Sequence, residues 1–411
     1  MTVQTDTADE RAPRPVPPRR LLSNYRELLA IPGVSRMVVA SLASKLPLSM
    51  IGLSLLLFIG PRHSYATAGL AVSCMAIGQG LSAPIRGRLM DRHSSRVITV
   101  SCLAAYLVVL AALVAVARSR VPVPLLLVLA TLSGITMPPV GITMRTLWRS
   151  VAGEHRLVTA MALDSAVSDV SFITGPAVAA WLCLNVSDII PFVLFGLLMI
   201  TAVVLVLSLP PISPPVRRPG GRHWAGPLRS SALCRLLIVN AAFSSMITAI
   251  DVVVPILNAQ QGTGMYNGLD LGALSAGSII GSLALGALPG LLAHAPKIAV
   301  LLGVFATGAA VLAAASQLSP LAMALACPVA GLAYGSTFGA LLTAGGNLAP
   351  EGCATETQGW LSSLMQGGSA VGASAAAWLA ADTSSLKVLC AIPVLAALTA
   401  ALSWNIRPRQ D

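Results

Sequence analysis

Along most of this chain, apolar residues run in blocks about as long as the roughly 20 residues that cross a hydrocarbon core, and short polar turns separate them. Such blocks fall at 36–60, 65–87, 97–117, 122–144, 158–183, 189–209, 235–257, 270–292, 298–316, 320–345, 357–381 and 386–405, the seventh and eleventh being the most polar. The pattern predicts an all-α integral membrane protein with twelve transmembrane helices. An even number of crossings puts both chain ends on one side.

Lys and Arg decide which side. The tails and the even-numbered connections hold 21 of them, the opposite connections hold four (Arg62, Arg118, Arg120, Lys387), and Lys45 lies inside a helix. By the positive-inside rule both termini are expected in the cytoplasm. Trp148, Trp360 and Trp404 near inner ends and Trp181 and Trp378 near outer ends read as interfacial anchors.

After the sixth block comes Pro210-Pro211-Ile212-Ser213-Pro214-Pro215-Val216-Arg217-Arg218-Pro219-Gly220-Gly221, which is incompatible with helix and reads as an exposed linker. The expected organisation is a cytoplasmic tail at 1–34, a six-helix bundle at 35–210, a linker at 211–233, a second bundle at 234–405 and a tail at 406–411. The two bundles read as distant copies. A shift of 203 lays Gly69, Gly78 and Gly87 on Gly272, Gly281 and Gly290; a shift of 197 lays Gly175, Ala179, Ala180 and Trp181 on Gly372, Ala376, Ala377 and Trp378. Membrane orientation is preserved, so the repeat is parallel, and two such bundles enclose a central cavity.

Composition narrows the function. With 55% hydrophobic and 10% charged residues and a mean hydropathy of +0.81, the chain belongs in a bilayer. The net charge of +11 comes from arginines in short turns, not from one basic face, so nucleic acid is not an expected partner. The Arg-over-Lys bias with abundant Ala and Gly fits a high-GC bacterial source. Cys74, Cys102, Cys183, Cys234, Cys327, Cys353 and Cys390 are scattered without CxxC spacing, and His63, His93, His155, His223 and His294 lack ligand spacing, so neither disulfide nor metal is expected. Residues 1–20 contain no apolar signal region. Three lysines and no GxxxxGK[ST] pattern exclude an ATP-driven pump, and no convergent nucleophile and base indicate an enzyme. No cofactor is called for.

The most informative turn is Gly87-Arg88-Leu89-Met90-Asp91-Arg92-His93-Ser94-Ser95-Arg96, between the second and third blocks. It resembles the signature loop of the major facilitator superfamily: Gly87, Asp91, Arg92 and Arg96 match, while Ser94 and Ser95 replace the usual Gly and basic residue. Helix count, linker position and the two-half repeat extend the resemblance over the whole chain. It implies secondary transport by alternating access and a cavity lined by helices one, four, seven and ten. It also implies that Asp91 latches against the start of helix eleven on the cytoplasmic side while Arg92 and Arg96 bridge neighbouring helix ends. Helix eleven opens with Thr355-Glu356-Thr357-Gln358, which reads as a capping box with Thr355 as N-cap. Glu356 stands ready for Arg88 or Arg92. In the second half Gly290 is kept, but His294 replaces the aspartate, so the latch is expected on one side only. In helix five, Gly175 and Pro176 within Ser171–Ala180 resemble the Gly-Pro motif of exporter-type members; a small-residue packing face is the plainer reading.

Charges within the blocks are candidate sites. Lys45 lies about 14 Å beyond Arg36 and Asp164 about 12 Å beyond Arg156, so the two match in depth and can pair. Asp169 points about 140° away from Asp164. Asp251 lies toward the outer half of helix seven. Lys45, Asp164 and Asp251, with Tyr106, Tyr334 and Asn240, form the expected substrate or proton pathway; Gln79 and Gln366 are polar in the same spans. The reading is a monomeric secondary carrier in the plasma (bacterial inner) membrane that exports a small organic molecule with protons. Uptake or facilitated transport of a metabolite, or a transport-inactive sensor or scaffold, are the alternatives. Substrate identity is not written in the sequence.

Overall fold

The computed structural model describes residues 18–119, 122–209, 226–288, 297–382 and 384–404, and among these every regular element is a helix. A short helix, α1 (Pro18–Leu29), precedes the bundle within the segment expected to be a plain tail. Six spans follow. They are α2 (Val34–Ile59), α3 (Tyr65–Arg92), α4 (Ser95–Arg118), a fourth made of α5 (Val123–Thr136) and the first part of α6 (Val140–Asn185), a fifth made of the rest of α6, and α7 (Ile190–Leu207). The second six are α8 (Ser231–Gln260), α9 (Asn267–Ala287), α10 (Lys297–Ala315), α11 (Pro320–Gly331) with α12 (Tyr334–Asn347), α13 (Ala354–Asp382) and α14 (Ser385–Ser403). Eleven spans are long and apolar enough to cross a bilayer by length and composition. The twelfth, α13, has the length but carries Thr355, Glu356, Gln358 and Gln366.

The fourth span differs from its expected limits. The apolar block ends at 144, yet the helix runs to Gly153, where φ of 65° turns the chain into the fifth span. Arg145 and Arg149 are therefore helical residues and not loop residues, and both reach partners in the other half. The same span breaks at Met137-Pro138-Pro139, and the tenth breaks between Gly331 and Tyr334, just after Pro328. Proline removes a donor and disfavours helix in the residue before it, so the break at Met137 has a local cause.

The repeat has a physical counterpart. A Cβ on Gly78 would strike the carbonyl of Thr131, and one on Gly281 would strike that of Leu332; Gly134 sits against the carbonyl of Met75, and Gly331 against that of Leu274. Gly175 packs against Ser49, and Gly372 against Ser245. In each half glycine thus allows the second and fourth spans to touch backbone to backbone, and in each half the first and fifth meet at another.

Each half also has its own apolar core. Phe243 stacks edge-on against Phe305 and Phe338 at centroid distances of 5.2 and 5.0 Å, and Phe305 meets Tyr334 at 5.6 Å. In the first half Phe192 lies 5.0 Å from Phe58 and 5.5 Å from Phe195. The buried clusters hold residues of one half only. Two separately packed bodies can move against one another without opening either core.

Of the tryptophans, Trp181, Trp378 and Trp404 are exposed as anchors should be, whereas Trp148 is wholly buried and points its indole at Asp164.

Candidate functional site

The seam between halves is tied at the end of the bundle where the described chain begins and stops, called here the terminal end. Asp91, at the close of α3, is buried; its carboxylate accepts the backbone N–H of Thr355 at 3.1 Å and of Glu356 at 2.8 Å. Helix α13 begins at Ala354, two residues earlier than a Thr355 cap requires, so Thr355 is not the N-cap. Asp91 supplies from the other half the acceptor that a capping side chain would have given, at the positive end of the helix. Gln358 in turn donates to the carbonyl of Leu342 at 3.1 Å instead of folding back.

Gly87 explains how the helices come so close. A Cβ there would lie 2.5 Å from the Thr355 carbonyl oxygen and 2.8 Å from the Glu356 Cα, and Gly359 presses in the same way on Ala83. Arg88 pairs with Glu356, Nη2 to Oε1 at 2.6 Å and Nε at 3.1 Å, with Gly226 packed against the pair. Arg92, which the resemblance made a bridge, is exposed and has no hydrogen bond or ion pair among the described residues. Arg88, four residues earlier and one helical turn back, faces the acid instead. Arg96 reaches the carbonyl of Leu209 at 3.5 Å, joining two helix ends of the first half. Gly290 and His294 lie outside the described residues.

Further ties cross the seam. Arg145 donates to Ser362 at 2.9 Å; Arg149 donates to Asn347 at 2.6 Å and to the carbonyl of Thr343 at 3.0 Å. Ser278 donates to Asp169 at 2.6 Å, Gln366 to Gln79 at 2.9 Å, and Thr159 to the carbonyl of Gly286 at 2.6 Å. The deepest of these lie about 20 Å from the terminal end at 1.5 Å per residue. All of these cross-half hydrogen bonds belong to this zone. At the opposite end, Arg62 and Asp188 pair at 2.6 Å inside one half.

Lys45 and Asp164 meet as their depths predict, Nζ to Oδ1 at 2.8 Å; Ser41 adds a hydrogen bond at 2.5 Å and Lys45 also donates to the Asp164 carbonyl at 2.6 Å. Asp251 is exposed and has no hydrogen bond or ion pair among the described residues. It lies 20 residues into α8, beyond the tied zone, with Tyr334 in electrostatic reach. Tyr106 does not join them: it is 1% exposed inside the first core, since its ring fills a bundle interior and not the seam. Asn240 is likewise buried and donates to the carbonyl of Leu361 at 2.9 Å, an interhelical tie within one half. Gly175 and Pro176 sit on the face of the fifth span that packs on α2, where Ser49 donates to the Ser171 carbonyl at 2.8 Å.

Sequence reading missed Arg86. It is buried, donates to the carbonyl of Met137 at the break in the fourth span, and to that of Gln79 at 3.2 Å. Position alone made it a surface arginine; Pro138 was the available clue, because it disfavours helix at Met137 and so takes the Met137 carbonyl out of the helical ladder. Among the described residues no group of His, Cys, Asp and Glu could hold a metal ion.

The sequence matches the Major Facilitator Superfamily over residues 37–373. The chain belongs to that family. No curated protein matches it. Among solved structures it is similar to the human organic anion transporter MFSD10 (TETRAN), at 17% identity and TM-score 0.71 over 94% of this chain and all of the other. It is similar also to a bacterial homologue of the iron transporter ferroportin in an outward-facing state, at 12% and 0.75 over 95% and 99%. The third is the E. coli fucose:proton symporter FucP, at 12% and 0.71 over 92% and 99%. At these identities the likeness is one of fold.

Proposed function

We propose that this member of the superfamily is a secondary carrier that exports a small organic molecule in exchange for protons by alternating access. The observation that carries it is the one-ended seam: two bodies with separate cores, whose cross-half hydrogen bonds gather toward the terminal end. A carrier closed on one side and released on the other has this form. The charge bias supports a cytoplasmic terminal end, which makes a conformation closed there outward-facing, and a plasma-membrane location is part of the same reading. Asp91, with Gly87 and Arg88, forms the latch; Asp251, unpaired beyond the tied zone, is the favoured proton site, whereas Asp164 is already matched by Lys45. The exporter-like Gly175-Pro176 favours export, and that motif is its only support.

Purified protein in proteoliposomes is the test. Counterflow of an organic-molecule panel, read with and without an imposed pH gradient, is expected to show exchange for at least one compound and uphill movement only with the gradient. Exchange that ignores the gradient would remove proton coupling. Absence of exchange across the panel would favour the transport-inactive reading.

A further inference from the structure

Helix α1 belongs by packing to the first half. Leu28 is wholly buried in that half's core beside Val34 and Trp148, and Glu27 pairs with Arg156 at 3.1 Å. Two of its side chains nonetheless reach into the second half. Asn24 donates to the carbonyl of Ala287 at 2.9 Å, and Tyr25 donates through its hydroxyl to that of Leu283 at 2.8 Å. Ala287 closes α9 and Leu283 lies one turn earlier, and Thr159 donates to the carbonyl of Gly286 between them.

The carbonyls of Gly286 and Ala287 lie past the last donor of their own helix, so they need partners from outside. The first half provides all three donors. Gly286 makes room for them: a Cβ there would meet the Tyr25 hydroxyl and lie 2.5 Å from the Ala162 Cβ. Burial pushes the Tyr25 hydroxyl up to about 12, so it stays protonated and a donor at physiological pH.

The place is the pseudo-symmetric partner of the Asp91 latch. There the end of the second span meets the start of the eleventh; here the end of the eighth meets the start of the fifth. The aspartate is missing from this copy, where the sequence has His294.

We propose that α1 is the second closing clamp of the terminal end, taking the place of the lost aspartate with the polarity reversed: donors from the first half cap the negative end of α9, where Asp91 caps the positive end of α13. This rests on the alternating-access reading, since a clamp matters only if the seam opens. With both clamps engaged the end stays shut; releasing α1 shifts the population toward the open form.

Amide hydrogen exchange on the full-length protein in detergent tests it. The N–H groups of Thr355 and Glu356, which Asp91 holds, report closure at the opposite corner of the seam. Asn24→Ala with Tyr25→Phe removes two neutral hydrogen bonds across the seam. Exchange at 355–356 is expected to rise about tenfold while the cores at 243–254 and 192–203 keep their protection. If α1 itself loosens and 355–356 stays unchanged, the clamp is wrong. If the double variant fails to fold, Tyr25→Phe alone, which keeps the ring on Gly286, must still raise exchange at 355–356 about threefold; no rise overturns the proposal. Counterflow on the wild type is scored separately: its absence would sink the carrier reading, and the exchange result would still stand or fall alone.

Discussion

Asp91 and Glu356, 265 positions apart in the chain, are joined by a hydrogen bond of 2.8 Å from the Glu356 backbone amide to the Asp91 carboxylate. A negative charge at the first turn of α13 gains from both exposed amides and from the helix dipole.

Asp91→Asn keeps the shape and removes the charge. A charge-assisted hydrogen bond contributes about 1.5–3 kcal/mol, so the ratio of closed to open form should fall about tenfold or more. Transport in vesicles is expected to drop while the amount of protein in the membrane does not. His294→Ala should do little by the same assay. Equal behaviour of the two variants would remove the latch.

Gly87→Val tests the same contact by volume. A side chain at 87 meets backbone atoms at 2.5 and 2.8 Å, which cannot swing aside, so the terminal end is forced apart at about 1–3 kcal/mol. Faster amide exchange at Thr355 and Glu356 is the expected readout. Gly69→Ala is the control, since nothing lies within 4 Å of a Cβ there. A Gly87 variant that exchanges like Gly69→Ala would mean the seam does not depend on this approach.

Asp251→Asn separates coupling from carriage. The residue is exposed and unpaired in the described structure, so the neutral amide should leave the fold and substrate exchange in place. Uphill transport driven by a pH gradient is expected to collapse. Unchanged coupling in both Asp251→Asn and Asp164→Asn would dismiss protons as the driving ion.

How far the sequence could be read depended on whether the cause was local. Spans and repeat follow from apolar length and glycine spacing, written in consecutive residues, while the proline-rich stretch expected as the linker lies outside the described residues up to 225. The pairing of Lys45 with Asp164 was legible because each can be measured in depth from an arginine at the membrane edge. The N-cap of α13 was misread because its acceptor comes from Asp91 in the other half. Arg86, Arg145, Arg149 and Trp148 were placed by position along the chain, and each is decided by a partner 16 or more residues away. Helix α1 hides for the same reason: its anchor, Leu28, looks like any leucine until the core around it is seen.

The Lys45–Asp164 pair makes the last prediction. Their side chains are 15% and 9% exposed, and Ser41 and the Trp148 indole complete the shell around the carboxylate at 2.5 and 3.4 Å. Removing one partner leaves a buried charge without compensation, which costs about 3–5 kcal/mol; replacing both with apolar residues of similar size is often neutral. Lys45→Met and Asp164→Leu should each lower the thermal unfolding midpoint in detergent, and the double variant should recover most of the loss. If the pair is only structural, the double variant also keeps wild-type counterflow. A double variant that is stable yet inactive would instead place the pair on the substrate path, because the fold would have been restored and only the charges would be gone.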